Sequence, residues 1–160
     1  MSASDVLMIG VILFALGIGF FVIHYTITNV TDEMLSIPEL NATNGTVTSL
    51  QSMKTTVARL DYIIFAVFIG LILGLIITSW FIGGNPMFMM IYFIVWIIAV
   101  VLSTILANTW ETVTNMVIFG TTITEFPLTN NILLYLPIYI AVIGFIGFVI
   151  MFAKPYVSEG

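Results

Sequence analysis

The chain has 160 residues, 61 % hydrophobic and 7 % charged, where a soluble domain carries about 25 % charge. Too few polar residues are present to cover a water-facing surface, which excludes an ordinary soluble fold. The net charge is −5 with three Lys and Arg, so no basic patch exists for nucleic acid, and without cysteine there is no disulfide, thiolate ligand or cysteine nucleophile.

The hydrophobic pattern predicts an all-α membrane protein with four transmembrane helices. Helices 1 and 2 extend into a membrane-external helical hairpin. The first span covers residues 6–27, capped by Ser4 or Asp5. The stretch before it lacks the Lys/Arg region of a cleavable signal peptide, so this helix is expected to be retained. Its apolar stripe continues through Phe20, Ile23, Ile27, Val30 and Met34, and Pro38 limits how far it runs. The hairpin occupies residues 28–60, with a turn at Asn44-Gly45. Beyond the turn Leu50, Met53, Val57, Leu60 and Ile64 recur at helical spacing and lead into the second span.

The second span, residues 61–81, has no charge after Asp61. About twenty residues at ~1.5 Å each cover the roughly 30 Å of a bilayer core. Ala66, Gly70, Gly74 and Thr78 lie four apart along one side. In lipid, such a row lets another helix approach closely. Gly83 and Gly84 supply the stop, Asn85 caps the third span, and Pro86 takes its first helical position. The third span covers residues 86–106, with a second row at Ala99, Ser103 and Ala107. The short turn predicts that helices 2 and 3 are antiparallel neighbours. Gly70 then meets Ala99, Ala66 meets Ser103, and Trp96 sits as a knob over Gly74.

Residues 107–128 form an interfacial loop in this reading, with Val117-Ile118-Phe119 and Phe126-Pro127-Leu128 dipping into the interface. The fourth span covers residues 129–152. Pro137 should kink it, and Gly144 and Gly147 make another close-approach site. Four spans place both termini on one side. Trp80, Phe81 and Tyr156 mark that side; Tyr25, Tyr62, Trp110 and Tyr135 mark the other. Asn29, Asn41 and Asn44 each begin an Asn-x-Thr sequon on the loop side, which is external in a host that glycosylates.

No nucleotide-binding, zinc-protease or serine-hydrolase motif is present. His24 is the single histidine, and no carboxylate clusters with it in sequence. It is expected to face headgroups or helix 2. Asp61 is expected to form a solvated pair with Arg59, and Glu111 to sit just outside the membrane core. No catalytic residue, metal site or cofactor is expected, and Met87, Met89 and Met90 read as packing filler.

Gly83-Gly84-Asn85-Pro86, Phe126-Pro127-Leu128-Thr129-Asn130-Asn131, Leu136-Pro137 and Gly144-Phe145-Ile146-Gly147 carry a resemblance over residues 61–152. They resemble small four-helix membrane proteins of icosahedral viruses that hold an internal lipid membrane. The resemblance implies a structural virion-membrane component with no catalytic residue. The expected partners are the lipid bilayer, other membrane or capsid proteins, and further copies of the chain. An accessory subunit of a larger membrane enzyme and a small pore or holin-like protein are the competing classes.

Overall fold

Long apolar runs with few helix breakers dictate the architecture. A computed structural model describes residues 4–82, 86–120 and 122–153. Seven α-helices occur among them: α1 Ser4–Ser36, α2 Pro38–Asn41, α3 Asn44–Ala58, α4 Leu60–Ile82, α5 Pro86–Thr114, α6 Pro127–Leu134 and α7 Leu136–Ala153. Two short 3-10 turns, Val117–Phe119 and Thr122–Glu125, join α5 to α6. Four helical stretches are long and apolar enough to cross a membrane, as a multi-pass integral membrane protein requires.

The breaks follow local chemistry. α1 stops before Ile37, whose extended backbone (φ −80°, ψ 117°) suits a residue preceding proline. Pro38 then opens α2 at a position where no N–H is needed. α3 returns along the C-terminal part of α1, burying Leu50 and Val57. Lys54 Nζ donates to Asp32 Oδ1 and Oδ2 at 2.8 and 2.9 Å across this seam. Both side chains are well solvated, so the pair adds at most about 1 kcal/mol. α3 does not run unbroken into α4. At Arg59 the backbone tightens to an N–H bond onto Thr56 O, 3.1 Å, before α4 begins.

The fourth span also breaks where the sequence predicts only a kink. α6 ends at Leu134 and α7 starts at Leu136. Pro137 has no N–H to give the Leu133 carbonyl, and its ring crowds that oxygen. The α5 helix runs past residue 106 to Thr114, so much of the expected loop is helical.

α1 packs on α4 and α5, and α7 packs on the same two helices. Around the bundle the order is therefore α1, α4, α7, α5. α4 and α5 stand at opposite corners, contrary to the expected neighbouring pair. On α1, Ile9, Leu13, Phe21, His24 and Thr31 are buried, while Ile27, Val30 and Met34 of its apolar stripe line a cleft with Leu50 and Met53 of α3.

Candidate functional site

Two layers of polar contacts cross the bundle. The first forms around the N-terminus of α6. Phe126 precedes that helix and supplies no side-chain cap, leaving its first N–H groups without a local acceptor. Asp61, 3 % exposed, supplies one from α4. Thr129 donates to Asp61 Oδ1 from its N–H at 2.7 Å and from its hydroxyl at 2.6 Å. The Leu128 N–H donates to Oδ2 at 3.1 Å. A carboxylate at a helix N-terminus also gains from the helix dipole. Asp61 therefore caps a distant helix. The expected solvated pair with Arg59 is not what occupies its oxygens, because burial favours a carboxylate surrounded by donors.

His24 joins this layer. It is 1 % exposed, and its Nε2 lies 2.5 Å from Glu125 Oε2 in the second 3-10 turn. The Phe126 ring meets the imidazole edge-on at 4.9 Å between centroids. His24 Nδ1 is buried without a hydrogen-bond partner, at a desolvation penalty of about 1–3 kcal/mol. The histidine thus faces protein, and neither headgroups nor a helix 2 side chain supply its bond. Trp110, expected in the interfacial belt, is likewise fully buried. Its Nε1–H donates to Asn130 Oδ1 at 3.0 Å, and its ring meets Phe21 at 5.3 Å. Phe126, expected to dip into the interface, is buried against Phe21 at 6.0 Å. These contacts tie α1, α4, α5 and α6 together at one end of the bundle.

The second layer lies deeper, where glycines of α7 admit side chains from α5. A Cβ on Gly144 would overlap the Trp96 indole at Cδ1 and Nε1, and would stand 3.1 Å from Cγ. A Cβ on Gly147 would lie 2.6 Å from Tyr92 Oη and 2.9 Å from Ser79 Oγ. Trp96 Nε1–H donates to Ile140 O at 3.2 Å, and Tyr92 Oη–H donates to Gly144 O at 3.1 Å. Ser79 Oγ–H donates to Leu75 O of its own helix at 2.8 Å, and its oxygen stands beside that of Tyr92 over Gly147. Here side chains from opposite corners meet over the α7 backbone. Bonds of this kind contribute about 0.6–2 kcal/mol each within a bilayer.

The expected packing residues divide accordingly. Ala99, Ser103, Ala107, Gly144 and Gly147 are buried inside the bundle, and Trp96 is half-buried. Ala66 and Gly70 are exposed. A Cβ on either Gly70 or Gly74 would meet nothing within 4 Å. Gly70 therefore does not face Ala99, and Trp96 rests on Gly144 instead of Gly74. Two alanine- and glycine-lined rows at equal depth permit close approach, but α7 supplies deeper notches that take the large α5 side chains. Thr78 bonds back to Gly74 O at 2.7 Å and to Leu75 O at 3.0 Å. Pro86 opens α5 as expected from the turn pattern; Gly83, Gly84, Asn85 and Tyr156 lie outside the described residues, and Ser4 and Asp5, expected to cap the first span, fall within α1. Glu111 is exposed.

No sequence pattern assigns a contact to Glu125, Thr129 or Asn130. One local signal points toward Thr129: a Phe-Pro helix start without a capping residue needs an acceptor from elsewhere. Nothing local marks Glu125, which is 101 residues from His24. Among the described residues, no three of His, Asp and Glu come together as metal ligands. No known protein family matches the chain, and no curated protein or solved structure matches it.

Proposed function

We propose that this chain is a non-catalytic structural protein of a membrane, packing with further copies or with partner proteins, and that its setting is the internal membrane of a virion. The observation that carries the reading is how its polar groups are used. Asp61, Trp110, Tyr92 and Trp96 all bond to groups of other helices and so fix helix positions. The virion setting rests on the resemblance over residues 61–152.

In this reading α2, α3 and the end of α1 stand outside the bilayer as a helical hairpin. α1 has 33 residues, about 50 Å at ~1.5 Å per residue, against roughly 30 Å of hydrocarbon. Tyr62, 67 % exposed, and Tyr135, 46 % exposed, suit the loop-side interface; Trp80 and Phe81, also exposed, suit the other. The termini lie on the cytoplasmic or interior side.

Native mass spectrometry of the complex solubilised from its own membrane tests the assignment. The expected masses are multiples of the chain, or the chain with capsid or envelope proteins. Stoichiometric redox subunits would replace this reading with an accessory role in a membrane enzyme. Ion conductance of the purified chain in planar bilayers would replace it with a pore.

A further inference from the structure

We propose that Asn41 is an N-glycan acceptor and that Asn29, despite its sequon, is not. The inference rests on the orientation proposed above, with the hairpin on the external face. Three Asn-x-Thr sequons occur within residues 29–46, but their backbones differ. Glycan transfer requires the Thr hydroxyl and the Asn carboxamide to face the same catalytic site. Residues i and i+2 share a face on extended backbone and diverge on a helix.

Asn29 lies inside α1. Its Nδ2 donates to Tyr25 O at 3.0 Å, and the Thr31 of its sequon is 2 % exposed. Presenting it would mean unwinding a spanning helix and uncovering a core residue. Asn44 opens α3, and its Thr46 is half-buried in the first turn. Asn41 is different. It ends the four-residue α2, which contributes no buried residue, and Thr43 is already extended at φ −102°, ψ 104°. Asn41, Ala42 and Thr43 are all exposed. Opening one isolated turn gives up no core packing, which places this segment at the low end of local stability. Ser36 lies eleven helical positions beyond Tyr25, lifting the hairpin tip roughly 16 Å above the interface at ~1.5 Å each.

The donor class is an oligosaccharide linked to a polyprenyl phosphate or pyrophosphate. Asn41 Nδ2 attacks the anomeric carbon and forms the N–C bond. The C–O bond to phosphate breaks and its electron pair leaves with the lipid phosphate. The Nδ2 proton passes to a base of the transferase. No redox change occurs.

The test is expression of the full chain in cells with a glycosylating secretory pathway, read as a gel shift removed by an N-glycosidase. A second version of the full chain, carrying a sequon-bearing extension after Gly160, is expressed in parallel. The expected result is one glycan on the unmodified chain, retained in Asn29→Gln and lost in both Asn41→Gln and Thr43→Ala. A glycan that survives both Asn41→Gln and Thr43→Ala, or that disappears with Asn29→Gln, overturns the assignment. No glycan on either the hairpin or the extension overturns the acceptor alone. A glycan on the extension and none on the hairpin overturns the orientation, and the acceptor with it.

Discussion

Asp61→Ala is expected to lower the thermal unfolding midpoint of the detergent-solubilised protein more than any exposed-face substitution. The change leaves two backbone N–H groups and one hydroxyl without their acceptor at a buried site. Each buried donor left unsatisfied costs about 1–3 kcal/mol. The damage should concentrate at α6, whose N-terminus has no cap of its own. Hydrogen exchange should then rise over residues 122–134 before the spanning helices loosen. Thr129→Val removes only the hydroxyl contact and should have a smaller effect. Asp61→Asn should fall between the two, since one oxygen remains to accept and the charge is gone. An Asp61→Ala midpoint equal to wild type would mean that water reaches these donors and that Asp61 does not hold α6.

Gly144→Leu is expected to be the most damaging change within the membrane-spanning region. Even a methyl group there overlaps the Trp96 indole. A leucine must push the ring away from α7 and break its bond to Ile140 O. Overpacking typically costs about 1–3 kcal/mol, and the lost interhelix bond adds to it. The folded fraction recovered in detergent should fall sharply. Gly70→Leu makes the same chemical change on an exposed α4 surface where a Cβ meets nothing within 4 Å, and the monomer should fold normally. Equal losses from the two variants would show that α4 buries its glycine row inside the bundle.

The contrast between Gly144 and Gly70 separates what local sequence encodes from what it does not. Spans are legible because twenty apolar residues have few other solutions in water or lipid. Close-approach sites are partly legible, since glycine and alanine recur at helical spacing. Which helix enters a given notch is not encoded locally. The turn at residues 83–85 suggests that α4 and α5 touch along their length, yet α7 lies between them. Trp96 reads as a knob in sequence, but its notch is Gly144, 48 residues away by numbering, and no periodicity links the two. The Asp61–Thr129 and His24–Glu125 contacts are similarly silent. Their partners are 68 and 101 residues apart, and a hydrogen bond leaves no spacing pattern. The proline breaks are legible in position, because a proline has no N–H to continue the helix.

Helix order is the claim on which the rest stands, and cysteine crosslinking in native membranes tests it most directly. The chain has no cysteine of its own, so introduced pairs report without background. Trp96 Cγ lies 3.1 Å from the position of a Gly144 Cβ, one bond from the Trp96 Cβ and close enough for a disulfide, whose Cβ atoms are about 3.5–4.5 Å apart. Trp96→Cys combined with Gly144→Cys should crosslink rapidly under mild oxidation. Gly70→Cys combined with Ala99→Cys should not crosslink within the monomer, because those residues stand on opposite corners. Efficient crosslinking of the second pair and failure of the first would contradict the α1, α4, α7, α5 order and restore α4 and α5 as facing neighbours.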